Sequence, residues 1–76
     1  MEIKVLGPGC AKCKEAEKIV LDAVKESGVD ATVEKITDFQ QIANFGVFST
    51  PAVVIDGEVK VVGKVPSKGD VLSWLK

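Results

Sequence analysis

Residues 2–6 alternate between polar and apolar side chains until Gly7. Alternation with a period of two is typical of a strand that buries one face. Over residues 11–27 the apolar positions instead recur every three or four residues. This period predicts an amphipathic helix, and Gly28 supplies the stop signal that such helices favour.

The next part of the chain contains three shorter segments. Residues 30–36 are rich in β-branched side chains, which predicts a second strand. Residues 37–40 have the form of a capping box with Thr37 as the N-cap, so we expect a short helix that ends near Gly46. Residues 52–55 are a continuous apolar run, which predicts a central strand buried on both faces.

A hairpin and a helix complete the predicted fold. Asp56-Gly57 is a strong signal for a two-residue hairpin, and residues 58–65 would form the returning strand. Ser67, with Asp70 three residues later, would cap a final helix over residues 67–76.

The predicted order is β-α-β-α-β-β-α, an α/β protein with a single domain over residues 1–76. We expect Trp74 and the three phenylalanines to belong to the core of this domain. No repeat, linker or low-complexity segment interrupts the pattern.

The net charge and the lengths of the apolar runs indicate which partners and which cellular location to expect. Ten basic and eleven acidic residues give a net charge of -1, which offers no electrostatic basis for binding nucleic acid or an anionic membrane. No apolar run approaches the ~20 residues of a membrane span, and the charged N-terminus is unlike a secretory signal. We therefore expect a cytoplasmic protein and a monomer, in a compartment where cysteine pairs are more often catalytic or metal-binding than structural.

The sequence contains two cysteines, Cys10 and Cys13, at the predicted start of the first helix. A helix N-terminus presents unpaired backbone N–H groups and the positive end of the helix dipole, which together favour a thiolate. We therefore expect the pKa of Cys10 to lie below the ~8.5 of a free thiol. Cys13 follows one turn later, with its Cα roughly 5–6 Å from that of Cys10, a distance that suits a disulfide which opens and closes.

Lys12 lies between the two cysteines and Lys14 follows them. The default interpretation is that both are solvated charges on the exposed face of the helix. The alternative gives Lys12 an electrostatic role, because a positive charge beside a thiolate stabilises it.

Other chemistry for the cysteine pair fits less well. A structural disulfide across so short a loop would constrain the unfolded chain little. Zinc and iron–sulfur clusters usually take four protein ligands, whereas this chain has two cysteines and no histidine. Cu(I) is satisfied by two thiolates, so a soft-metal carrier of the ferredoxin-like type is the alternative function. Such carriers run β-α-β-β-α-β and end on a strand, whereas this pattern ends on a helix, and no metal site is assigned.

Three motifs resemble the thioredoxin superfamily: Cys10-Ala11-Lys12-Cys13 after the first strand, Ser49-Thr50-Pro51 before the third, and Val61-Val62-Gly63 on the fourth. Within the superfamily the chain is similar, over nearly its whole length, to the small, glutaredoxin-sized redox-active disulfide proteins. The resemblance implies a thioredoxin-like fold with a four-stranded mixed sheet and three helices. It also implies that Pro51 is cis and lies against the cysteine pair; without the cysteines we would interpret it as an ordinary trans proline.

The implied function is that of a thiol–disulfide oxidoreductase that exchanges protein disulfides. Cys10 would be the nucleophile and Cys13 the resolving cysteine, because exchange needs an accessible attacking sulfur. Thr50, Pro51 and Gly63 would form the docking region, where a substrate strand pairs with the backbone. The expected partners are protein disulfides and an unidentified reductase. No cofactor is expected beyond the Cys10–Cys13 disulfide. A binding module that retains the fold is the third alternative.

Overall fold

The computed structural model describes residues 1–9 and 11–75. Its elements follow the predicted β-α-β-α-β-β-α order, which confirms the thioredoxin-like arrangement expected from the sequence. The bounds of the strands and helices are β1 Glu2–Leu6, α1 Ala11–Ser27, β2 Thr32–Ile36, α2 Phe39–Asn44, β3 Ala52–Ile55, β4 Glu58–Val62 and α3 Lys68–Trp74.

The four strands form one mixed sheet in the order β2-β1-β3-β4. β1 and β2 are parallel, with Glu2 opposite Thr32, and α1 supplies the crossover that a parallel pair requires. β1 and β3 are antiparallel, with Ile3 opposite Ile55. All four residues of β3 are buried, as its uninterrupted apolar sequence predicts for a central strand.

The sheet carries a packed layer on each face. The larger layer lies under α1 and α3 and contains Ile3, Val5, Ala16, Val20, Ala23, Val53, Ile55, Val61, Val71 and Leu75. The smaller layer includes Ile42 of α2 and is made of Leu6, Ile36, Ile42, Val47, Ala52 and Val54. The odd positions of β1 face the first layer and Leu6 faces the second, as the two-residue period of a strand requires.

The β3–β4 turn is tied to β1 through Asp56. Asp56 and Gly57 have φ values of 50° and 83°, the positive values that a two-residue turn of type I′ needs. Asp56 Oδ1 accepts a hydrogen bond of 2.8 Å from the Glu2 backbone N–H, and the Asp56 N–H donates to the Glu2 carbonyl at 2.8 Å.

Two strands are shorter than predicted. β2 begins at Thr32 rather than at residue 30. β4 ends at Val62 rather than at residue 65, because Gly63 adopts a φ of 77° and turns the chain out of the ladder. Val65 still packs against the larger core layer from outside any strand.

The N-cap of α2 is Asp38, and the prediction of Thr37 was wrong. The Asp38 carboxylate accepts a hydrogen bond of 2.9 Å from the Gln40 backbone N–H. Asp and Thr are both good N-caps, so adjacent candidates compete and the pattern alone does not decide between them. The cap of α3 is confirmed: Ser67 Oγ accepts from the Asp70 N–H at 3.1 Å.

Two of the three phenylalanines are on the surface, and their predicted core role was wrong. Phe39 is 70% exposed and Phe48 is 87% exposed. α2 has six residues and buries Ile42, so its start leaves Phe39 outside the smaller layer. Phe45 packs against that layer, and Trp74 is half-buried against the larger one.

Among the described residues, no helix combines the length and the apolar character needed to cross a bilayer.

Candidate active site at the end of the first strand

The backbone leaves β1 at a fixed point. The Gly7 N–H donates a hydrogen bond of 2.8 Å to the Ile36 carbonyl, which continues the β1–β2 pairing by one residue. Pro8 and Gly9, the latter with a φ of 95°, then lead toward the first turn of α1. Cys10, the predicted nucleophile, lies outside the described residues.

Cys13 is placed in the first turn of α1, on the face that packs against the sheet. Its side chain is 1% exposed. The next residues along this face are the fully buried Ala16, Val20 and Ala23, so helical periodicity turns Cys13 inward. The thiol is therefore covered by protein, as a resolving cysteine is expected to be.

The Cys13 side chain lies directly against the backbone of Gly7. A Cβ atom placed on Gly7 would be 2.9 Å from Cys13 Cβ and nearer still to its Sγ. The same position is 3.8 Å from the Cβ of Thr50. The end of β1, the first turn of α1 and the loop before β3 therefore meet at one place.

The peptide bond between Thr50 and Pro51 is cis, the isomer that the resemblance implies. Pro51 is fully buried, whereas Thr50 is half-buried. The structure thus brings this loop beside Cys13 although the two are far apart in the sequence.

Gly63 belongs to the same region. Its N–H donates a hydrogen bond of 2.9 Å to the Pro51 carbonyl. A Cβ on Gly63 would lie 3.1 Å from the Cβ of Ser49, so the chain after β4 runs close to the loop. The docking roles predicted for Thr50, Pro51 and Gly63 remain predictions, but the residues are neighbours.

Lys12 is exposed on the outer side of the first turn of α1. Adjacent residues of a helix point in different directions, so Lys12 faces solvent while Cys13 faces the sheet. The electrostatic role predicted for Lys12 remains a prediction.

Sequence reasoning treated Gly7 only as the break that ends β1 and missed its contact with Cys13. One signal could have found it. Gly7 precedes Pro8, and a residue before proline is restricted to extended conformations that every amino acid adopts. A glycine with no conformational need for glycine suggests a close approach by another group.

A surface ion pair between Lys68 and Glu26 lies near the C-terminal end of α1. The pKa of Lys68 is raised above its ordinary value by the hydrogen bond that its ammonium group donates to Glu26 and by the charge of that carboxylate. This ion pair joins α3 to α1, away from the end of β1. Within residues 1–9 and 11–75, no group of three or more His, Cys, Asp or Glu side chains is arranged to hold a metal ion.

Comparison with known proteins identifies the family. The sequence profile of the thioredoxin domain matches residues 1–76. A thioredoxin of Methanothermobacter thermautotrophicus is 44% identical over 71 residues, which cover 93% of this chain and 92% of the relative. A thioredoxin of Methanocaldococcus jannaschii is 40% identical over 74 residues, or 97% of this chain and 85% of the relative. A probable thioredoxin of Archaeoglobus fulgidus is 34% identical over 72 residues, or 91% and 78%. This chain belongs to the thioredoxin family, a family of thiol–disulfide oxidoreductases.

Proposed function

We propose that this protein exchanges protein disulfides through a dithiol pair formed by Cys10 and Cys13. The observation that carries the proposal is the position of Cys13. Its buried side chain lies in the first turn of α1, where that turn meets the Thr50-Pro51 loop. A cysteine three residues earlier in the chain is within the sequence distance that a disulfide to Cys13 requires.

The reaction has two steps, and each conserves one disulfide bond. The Cys10 thiolate attacks one sulfur of a substrate disulfide, forms a mixed disulfide and releases the first substrate thiolate. The Cys13 thiolate then attacks Cys10 Sγ, the Cys10–substrate bond breaks, and the second substrate thiolate leaves. The substrate gains two electrons and two protons, and a thiol reductant closes the cycle by reducing the Cys10–Cys13 disulfide.

The burial of Cys13 supports this division of roles. Because Cys13 is only 1% exposed, a protein disulfide in solution reaches its sulfur poorly. A cysteine three residues earlier in the same chain is a far nearer partner in sequence than any substrate sulfur. We therefore assign first attack to Cys10 and resolution to Cys13.

The surroundings of Thr50 support a protein substrate rather than a small one. Thr50 is half-buried and lies beside Cys13, so an extended chain could pair with its backbone while the disulfide reaches the site. Phe48, two residues earlier, is 87% exposed and offers an aromatic surface next to the loop. Gly63 lies close to Ser49 of the same loop, where a side chain on Gly63 would crowd the Ser49 Cβ at 3.1 Å.

Trapping with single-cysteine variants tests the proposal. Cys13→Ser should hold substrates as mixed disulfides because the resolving sulfur is missing, whereas Cys10→Ser should hold few. Non-reducing gels of each variant after incubation with oxidised insulin show the adducts. Equal trapping by both variants, or more by Cys10→Ser, would contradict the assigned roles. If neither variant traps insulin while the reduced wild type binds Cu(I) with two thiolates, the carrier function replaces this proposal.

A further inference from the structure

We propose that Gly7 is a positioning residue for the Cys13 thiol: the missing side chain at Gly7 leaves the space that Cys13 occupies. The inference rests on the proposed function, because it concerns the step in which Cys13 resolves the mixed disulfide.

Gly7 does not need to be glycine for its own conformation. Five of the seven glycines, at positions 9, 28, 46, 57 and 63, have positive φ angles that other residues adopt poorly. Gly7 and Gly69 do not. Gly69 is exposed in α3, and its nearest neighbour to an added Cβ is Ser67 Oγ at 3.9 Å. Gly7 is the buried one of the two.

A side chain on Gly7 would clash severely with Cys13. A Cβ on Gly7 would be 2.9 Å from Cys13 Cβ, a separation that real Cβ atoms essentially never show, and closer still to Sγ. Thr50 Cβ, at 3.8 Å, would be in ordinary van der Waals contact with the added atom, so the clash is with Cys13. A methyl group at Gly7 therefore requires Cys13 to move.

The Gly7 backbone has little room to move away from Cys13. Its N–H is held by the Ile36 carbonyl at 2.8 Å. On the other side, α1 is fixed to the larger core layer by the fully buried Ala16 and Val20. The remaining adjustment is a new rotamer of Cys13 or a shift of the first turn of α1, and either one relocates Sγ.

A displaced Cys13 thiol should affect one of the two steps of the reaction. Resolution requires the Cys13 thiolate to approach Cys10 Sγ in line with the bond to the substrate, and disulfide geometry tolerates small deviations only. Attack on the substrate uses the other sulfur. Displacing Cys13 should therefore slow the second step and leave the first nearly unchanged.

Single-turnover exchange with bis(2-hydroxyethyl) disulfide tests this, with acid quenching and mass measurement of the mixed disulfide. In Gly7→Ala we expect formation within about twofold of wild type and resolution slower by about tenfold or more, so the adduct accumulates. The matched control is Gly69→Ala, which should show wild-type values for both steps. Equal slowing of both steps in Gly7→Ala, or no slowing of either, would overturn the inference. A wild type that forms no adduct and oxidises no thiols would contradict the proposed function instead.

A double-mutant cycle in urea tests the contact without any turnover. Gly7→Ala should lower the unfolding midpoint less in a Cys13→Ala background than in wild type, because the sulfur is absent there. Equal losses in the two backgrounds would show that the added methyl group meets something other than the thiol. If Gly7→Ala alone does not fold, a cooperative transition restored by Cys13→Ala supports the inference, and its absence contradicts it.

Discussion

Single side chains build the junctions around this sheet. Asp56 is the clearest example, because it accepts a hydrogen bond from Glu2 while adopting a φ of 50° in the β3–β4 turn. Asp and Asn adopt positive φ more readily than other residues with side chains. The same residue therefore shapes the hairpin and attaches it to the start of β1.

Two substitutions of Asp56 test its role in the hydrogen bond and in the turn. Asp56→Ala should lower the free energy of unfolding by about 1–3 kcal/mol, because a hydrogen bond is lost and alanine is strained at positive φ. Asp56→Asn keeps an acceptor oxygen and the tolerance for this φ, so it should be nearly neutral. Urea unfolding of the two variants and the wild type gives the comparison. Equal stability of the Ala and Asn variants would contradict the role assigned to Asp56.

The helices differ in how firmly they are attached. α1 places Ala16, Val20 and Ala23 in the larger core layer, all fully buried. α2 has six residues and contributes Ile42 to the smaller layer. Because the first turn of α1 carries Cys13, the packing of α1 also determines where the Cys13 sulfur lies.

Substitutions at two adjacent residues of α1, one buried and one exposed, test how much this packing contributes to stability. Val20→Ala removes two buried methyl groups and should cost about 2 kcal/mol of unfolding free energy, including the cavity term. Leu21→Ala on the same helix, at a side chain 48% exposed, should cost about 0.5 kcal/mol or less. Chemical unfolding monitored by Trp74 fluorescence provides both values. Similar losses for the two variants would mean that α1 is not anchored through the face described above.

The ion pair between Lys68 and Glu26 connects α3 to α1 at the surface. The pKa of Lys68 is raised in the folded state, chiefly by the hydrogen bond with Glu26. Its contribution to stability is therefore fully present below the unfolded-state pKa and is lost as the pH rises through the folded-state pKa. Because the pair is exposed, the contribution is small and screened by salt.

A variant at Lys68 tests the sign of this effect. The unfolding midpoint of Lys68→Gln should lie slightly below that of wild type at neutral pH. The difference should shrink as the pH rises above 10 and also in high salt at neutral pH. Paired midpoints measured at several pH values provide the test. A difference that grows with alkaline pH would contradict the direction assigned to the pKa shift.

For the molecule as a whole, the sequence predicts the architecture better than the surface. The period of residues 11–27 and the apolar run of 52–55 determine α1 and β3 because each pattern matches the burial that the finished fold provides. The neighbourhood of Cys13 and Pro51 was expected from resemblance to a family rather than from the residues themselves. The close approach of Gly7 to Cys13 depends on the final packing of α1 on β1, which local patterns do not contain. Phe48 shows the same limit, since hydrophobicity alone does not tell whether a neighbour covers a side chain.

The exposure of Phe48 leads to a prediction about substrates. Phe48→Ala should leave stability unchanged because the ring is already 87% exposed. If the ring contacts protein substrates, kcat/KM with insulin should fall by roughly fivefold, which corresponds to about 1 kcal/mol of lost apolar contact. Exchange with bis(2-hydroxyethyl) disulfide should not change, and Leu21→Ala should leave both activities at the wild-type level. An equal decrease with both substrates in Phe48→Ala would show that the ring acts on the site rather than on protein docking.

The central claim is that Cys10 and Cys13 form one reversible dithiol–disulfide couple. It is tested most directly by equilibrating the protein with defined ratios of reduced and oxidised dithiothreitol, blocking free thiols and measuring the mass. We expect the two thiols to disappear together, as a single two-electron transition with ~30 mV for each tenfold change in the ratio of disulfide to dithiol. Cys13→Ser should show no intramolecular transition under the same conditions. Two thiols that stay reduced across the whole range, or that oxidise independently of each other, would contradict the account.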